Sequence, residues 1–318
     1  MVENLVERMQ AGDRRALARL MTLAENESPE VPRIFAALRR APGRAHRLGV
    51  TGPPGAGKST LVGRLIEALR AAGETVGVLA VDPSSPLSGG ALLGDRLRMP
   101  VLDDPGVFVR SMASRGTPGG LARHSLDLAD LLDAFGRDWI LIETVGTGQG
   151  ELEILNEADT TLVVLHPGTG DTVQALKAGL FEVGDLFAVN KADQIGADSL
   201  KAELEWAFRL REDRAAPPVR MTSARENRGV GELLVEVRRI RAAREADGQL
   251  GAQRQARLAR RLRREVELEF ADRLAGDPDW TGLLENLARR VMDLEIDRYA
   301  ARAELIRRLG KTKGATEA

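Results

Sequence analysis

The stretch "GPPGAGKS", Gly52 to Ser59, constrains this chain more than any other. It follows the apolar run "RLGVTG" and leads into a segment with helical spacing. That is the pattern G-x-x-x-x-G-K-[ST] in the strand–loop–helix context it requires. Its glycines let the backbone curl so that successive N–H groups face a phosphate chain, and the helix N-terminus adds partial positive charge. The expected cradle is Gly52, Pro53, Pro54, Gly55, Ala56, Gly57, Lys58, Ser59 and Thr60. Lys58 would reach the β- and γ-phosphates, and the Ser59 hydroxyl would ligate Mg2+. A plain glycine turn before a helix is the alternative, and the complete eight-residue pattern argues against it. The expectation is a nucleoside triphosphate site.

Around this loop, short β-branched runs alternate with helical patterns. The runs are "RLGVTG", "TVGVLAVD", "VFVRS", "DWILIETVG", "TTLVVLHP", "DLFAVNK" and "PPVRMTSA". Helices between them are expected to begin near Lys58, Gly119, Gly150, Asp171, Ala197 and Gly231. Such alternation implies an α/β P-loop fold, with a mostly parallel sheet covered by helices on both faces. It spans about 46–245. Residues 1–45 read as two short helices, the second with Ser28 as its N-cap, forming an N-terminal extension. After "READGQLG" the strands stop, and 246–318 reads as an amphipathic helical arm.

Composition removes several classes of function. With no cysteine among 318 residues, there is no disulfide, zinc finger or thiol nucleophile. No apolar run approaches the roughly 18 residues of a membrane span. The N-terminus "MVENLVERMQ" lacks the apolar core of a signal peptide, so a soluble, cytoplasmic protein is expected. A net charge of −1 offers no field for nucleic acid. The arginines from Arg254 to Arg264 are followed by Glu265, Glu267 and Glu269, which reads as a salt-bridged, solvated helix face. Only six of the 46 cations are lysines, so each lysine calls for a reason. A lysine supplies a compact charge on a slim stem that a forked guanidinium cannot imitate.

"NKAD", Asn190 to Asp193, ends a later strand run. Guanine presents two adjacent donors, N1–H and the 2-amino group, and one carboxylate at Asp193 can accept both. Adenine would leave that carboxylate unpaired, which is how a polar site rejects an analogue strongly. Lys191 can lay its stem over the ring. One strand later comes "TSA", Thr222 to Ala224, where a backbone N–H at Ser223 or Ala224 could meet guanine O6. The joint pattern implies GTP and GDP as ligands, and a GTPase. "ETVG" then occupies the position where GTPases place D-x-x-G, with Glu143 as the metal-side carboxylate and Gly146 as γ-phosphate sensor.

Taken together, "GVTGPPGAGKST", "LAVDPSSPLSGGALLGDRLRM", "SRGTPGGLAR", "IETVGTGQGE" and "VNKAD" resemble the MeaB/ArgK-type GTPases, over about 40–245. The resemblance implies a G-protein chaperone that gates cofactor loading, or protects or reactivates, a cobalamin-dependent acyl-CoA mutase. It also implies a homodimer built through the flanking helices. It places Asp82 and Asp95 in the first switch, near Mg2+ or the attacking water. It makes "HPGTGDTVQALKAG" a third switch, in which Asp171, Gln174 and Lys177 would couple to the client; an exposed helix face is an equal alternative there. His166 alone reads as structural. Where the family commonly shows V-G-V-G-Q-S, this chain has Thr147 and Gly150, which puts client identity in question. Two rivals are weaker. A nickel-delivery GTPase needs a metal relay that the dispersed His46, His124 and His166 do not offer. An ATP-dependent kinase linked to amino-acid transport conflicts with "NKAD".

Overall fold

The computed structural model describes residues 2–38, 44–83, 104–114, 120–144, 158–168, 180–211 and 215–312. Seven strands form one sheet in the order β3-β2-β4-β1-β5-β6-β7. They are β1 (His46–Thr51), β2 (Val76–Pro83), β3 (Val107–Ser114), β4 (Trp139–Thr144), β5 (Thr160–Leu165), β6 (Leu186–Val189) and β7 (Val219–Met221). Every pairing is parallel, and each of the seven expected runs forms one of these strands. Strand β4, "WILIET", is buried at all six positions, as a strand covered on both faces must be.

Period-two alternation divides each strand between two layers. Leu48, Val50, Val76, Val78, Trp139, Leu141, Leu162 and Val164 point to one layer, against α4 (Lys58–Ala71) and α8 (Val230–Ala246). On the other face, Leu79, Val81, Phe108, Ile140 and Ile142 pack with α5 (Gly120–Ala134). Beyond β1 on that second face, Val163, Leu165, Phe187 and Val189 meet α6 (Leu180–Val183) and α7 (Ala197–Arg209).

The N-terminal segment forms three helices where two were expected: α1 (Val2–Gln10), α2 (Arg14–Glu25) and α3 (Val31–Leu38). The extra break is at Gly12 and Asp13. Gly12 takes a left-handed φ of 93°, and the Asp13 carboxylate accepts from the backbone N–H groups of Arg15 and Ala16, capping α2. Ser28 does act at the next turn, its Oγ accepting from the Glu30 N–H, and α3 starts at Val31. Val6, Met9, Leu17, Leu20, Met21 and Ile34 share one core with Leu79, Phe108 and Ile142. The three helices therefore roof one face of the sheet.

Two compact units result, Met1–Arg254 and Gln255–Ala318. Helix α9 (Gln249–Ala275) precedes α10 (Pro278–Met292) and α11 (Arg298–Thr312). Asp277 caps α10 and Asp297 caps α11, each through two backbone N–H groups. The reading of the arginine run as a solvated face holds only in part. Arg261–Glu265 and Arg263–Glu267 are i,i+4 pairs, but Arg257 is buried and Arg254 binds a fully buried carboxylate, Asp159. The spacing showed the partners along the helix and could not show those across the fold.

Candidate nucleotide site

Four segments that carry the expected motifs sit at the carboxyl ends of strands. The phosphate loop follows β1, Glu143 is near the end of β4, Asn190 follows β6 and Thr222 follows β7. Strand β1 lies between β4 and β5, where the chain's progression across the sheet reverses. Ligands of open α/β sheets bind at the carboxyl ends of strands beside such a reversal.

The phosphate loop is held close to its neighbours. Gly52 has φ 142°, and a Cβ there would lie 1.9 Å from the Val164 carbonyl oxygen of β5. Gly57 has φ 87° and caps α4; a Cβ would come within 2.5 Å of Asn190 Nδ2. Both glycines are therefore required by a close approach as well as by dihedral angle. Pro54, Gly55 and Thr60 are exposed, whereas Gly52, Ala56 and Lys58 are buried, so the loop has an open outer side and a fixed inner one. Lys58 Nζ donates to the carbonyls of Gly52 at 2.7 Å and Pro53 at 3.1 Å. The Ser59 hydroxyl donates to Glu143 Oε1 at 2.6 Å. Glu143 is 8% exposed and its strand position pairs with Val50, one residue before β1 ends.

The base-side segments form a second rigid cluster. Asn190 is buried, and its amide is satisfied at both ends: Nδ2 donates to Ala56 O at 2.8 Å, while Oδ1 accepts from Thr222 Oγ1 at 3.2 Å and the Ala224 N–H at 3.0 Å. These partners permit only one orientation of the amide. They join the phosphate loop to the loops after β6 and β7. Lys191 adopts φ 57°, a left-handed turn, and the Ala192 N–H donates to Thr222 O. Asp193 is exposed, and Oδ1 accepts from the buried Ser223 hydroxyl at 2.8 Å. The Ser223 hydrogen bond, the backbone N–H and the nearby Arg228 and Arg225 hold the Asp193 carboxyl below its ordinary value. It is thus ionised and oriented, as an acceptor for two neighbouring donors must be. The Ala224 N–H, considered for guanine O6, is instead engaged by Asn190.

Asp82 lies in β2, in register with Ala113. Asp95, Gly146, Thr147, Gly150, Asp171, Gln174 and Lys177 lie outside the described residues. Among the described residues no group of three or more His, Asp or Glu side chains gathers as a metal cluster. One contact had no signal in the sequence: Arg64 of α4 donates through Nε to the Ala224 carbonyl at 3.1 Å, across 160 residues.

Comparison with known proteins identifies the family. Residues 17–279 match the family model described as methylmalonyl-CoA mutase-associated GTPase MeaB. A Pyrococcus abyssi protein is 45% identical, covering 95% of this chain and 94% of its own. GTPase ArgK of Escherichia coli is 36% identical over 86% of both chains. The mouse mitochondrial methylmalonic aciduria type A homolog is 36% identical, covering 80% of this chain and 66% of its own. A crystal structure described as LAO/AO transport system kinase superposes with a TM-score of 0.74 at 28% identity, over 97% of each chain. The chain belongs to the family of methylmalonyl-CoA mutase-associated GTPases, MeaB.

Proposed function

We propose that this GTPase binds GTP and GDP with Mg2+, works as a cytoplasmic homodimer, and gates cofactor loading or protects a cobalamin-dependent acyl-CoA mutase. The observation that carries the nucleotide part is the Asn190 brace. It ties the phosphate loop through Ala56 to the loop bearing Ser223 and Ala224, while Ser223 orients the Asp193 carboxylate. A base and a phosphate chain held by these two loops are thereby fixed at a set separation. The family description and the name of the mouse relative support the client.

The residues present fit Mg2+. A serine hydroxyl and a carboxylate, both hard oxygen donors, already lie 2.6 Å apart beside the phosphate loop. Mg2+ is commonly held by one or two protein oxygens, with phosphate and water completing the shell. Ser59 and Glu143 would hold it, with Asp82 and Asp95 nearby. When bound, it would neutralise charge on the β- and γ-phosphates. The rest falls to the chain. Loop N–H groups and Lys58 bind the phosphates, and Lys58 exchanges its two carbonyl partners for phosphate oxygens. Gly146 would sense the γ-phosphate by its N–H. Water then attacks the γ-phosphorus, the bond to the β–γ bridging oxygen breaks, and GDP and phosphate leave. Asp171, Gln174 and Lys177 would report the nucleotide state to the client. No helix among the described residues is long and apolar enough to cross a membrane.

The test is affinity capture of purified mutases by this protein loaded with GDP or with a non-hydrolysable GTP analogue, after calorimetry with GDP and ADP. GDP should bind far more tightly than ADP, and one mutase should be retained in only one nucleotide state. Equal GDP and ADP affinities would remove the guanine assignment. No nucleotide-dependent retention of any mutase would remove the client.

A further inference from the structure

We propose that Arg64 is a positioning residue for guanine recognition, acting through the peptide between Ala224 and Arg225; this rests on the nucleotide reading above. Arg64 lies on α4, whose first turn carries Lys58 and Ser59. Its Nε donates to the Ala224 carbonyl at 3.1 Å, and its Nη1 pairs with Glu67 Oε2 at 2.8 Å, one turn along the same helix. The guanidinium is therefore held from both sides, so its grip on the carbonyl is preorganised. Ala224 itself is buried, and its N–H is committed to Asn190 Oδ1.

A trans peptide is planar, with its C=O and N–H pointing in opposite directions. Every described peptide bond in this chain is trans. With the Ala224 carbonyl fixed towards α4, the N–H of Arg225 points away from that helix. That N–H has no hydrogen bond among the described residues. It belongs to the residue two beyond Ser223, which orients Asp193. Asp193 takes the N1–H and 2-amino edge of guanine, and O6 is the adjacent acceptor on the same ring edge. The Arg225 N–H is the donor for that oxygen, and Arg64 sets its direction. Phosphate helix and base contact are then coupled through one side chain.

Atomic substitutions in the base separate this role from a general loss of fold. The purified chain and its Arg64→Ala and Arg64→Lys variants are titrated with GDP, with 6-thio-GDP, whose sulfur accepts poorly in place of O6, and with IDP, which lacks the 2-amino group. The wild type should prefer GDP to both analogues. Arg64→Ala should bind GDP about three- to ten-fold more weakly, the worth of one hydrogen bond. It should lose its preference over 6-thio-GDP and keep its preference over IDP. Arg64→Lys, still able to donate to the carbonyl, should restore part of the 6-thio discrimination. In turnover, Arg64→Ala should raise KM for GTP with kcat little changed. If Arg64→Ala discriminates against 6-thio-GDP as the wild type does, the positioning role is overturned. A wild type that binds GDP no better than ADP would instead overturn the guanine reading beneath it.

Discussion

At the scale of single residues, burial in this fold acts differently on polar groups that look alike in sequence. His46 and His166 are both buried histidines at strand ends, but His166 Nδ1 lies 2.9 Å from the Pro167 carbonyl oxygen whereas the His46 ring is set against Trp139. Burial pushes the pKa of His46 from 6.5 down to about 4; Asp159 opposes the shift, while Arg241 and Arg254 add to it. The ring meets Trp139 edge-on at 5.0 Å, and Nε2 lies 3.1 Å from Thr160 Oγ1. His46 is therefore neutral in the folded chain at pH 7. Because the folded value lies below the unfolded one, the unfolded chain binds the extra proton first. The stability is fully present above about pH 6.5 and is lost as pH falls towards 4, by up to about 3 kcal/mol. Urea unfolding at pH 7.5, 6, 5 and 4.5 should show that decline in the wild type and a shallower one in His46→Asn. Parallel declines in the two proteins would mean that His46 is not the group responsible.

Elements show where spacing along the chain stops being informative. The strands were legible because β-branched runs with apolar residues on both faces have few other uses, and Val76, Val78, Leu79 and Val81 illustrate it. The third N-terminal helix was not, because Met9 and Leu17 continue a helical spacing straight through Gly12–Asp13. The turn is decided by the Asp13 cap, a local hydrogen-bond pattern, rather than by periodicity. Likewise Arg254 and Arg263 are equivalent in sequence but not in the fold. Arg254 meets the wholly buried Asp159 through Nη2 at 2.6 Å and Nε at 3.1 Å, and also the Ala45 carbonyl at 2.8 Å. Arg263 has an 82% exposed side chain and pairs with Glu267 of its own helix. Arg254→Ala removes the guanidinium from a buried charge that also accepts from the Arg47 N–H, and should cost about 3 kcal/mol. Arg263→Ala should cost less than about 0.5 kcal/mol. Chemical denaturation of both variants checks this, and equal costs would refute the distinction.

For the whole molecule, nucleotide motifs and surfaces differ in how much the sequence discloses. Gly52, Lys58, Asn190 and Asp193 could be named in advance as candidates because phosphate and guanine each demand particular atoms at fixed spacing. Arg64 could not, since a hydrogen bond spanning 160 residues leaves no local pattern. The proposed homodimer is of the second kind, and one surface makes it testable. Along α9, Leu258, Leu262, Val266 and Phe270 recur every four residues and are 55%, 54%, 68% and 48% exposed. That spacing keeps them on neighbouring parts of one helix side. Large apolar side chains in line and in contact with water are more often partner surfaces than solvent faces. A second copy presenting the same stripe would be self-complementary, as two-fold interfaces are. Light scattering during size exclusion should therefore give about twice the chain mass of 34.4 kDa. Replacing Leu262 and Val266 together by glutamate should return it to one chain mass, because two charges per copy would be buried unpaired. GDP affinity should stay within about two-fold, as both positions lie in the unit without the nucleotide motifs. A wild type of single chain mass would end the dimer proposal. A double variant that remains twice that mass would place the interface elsewhere.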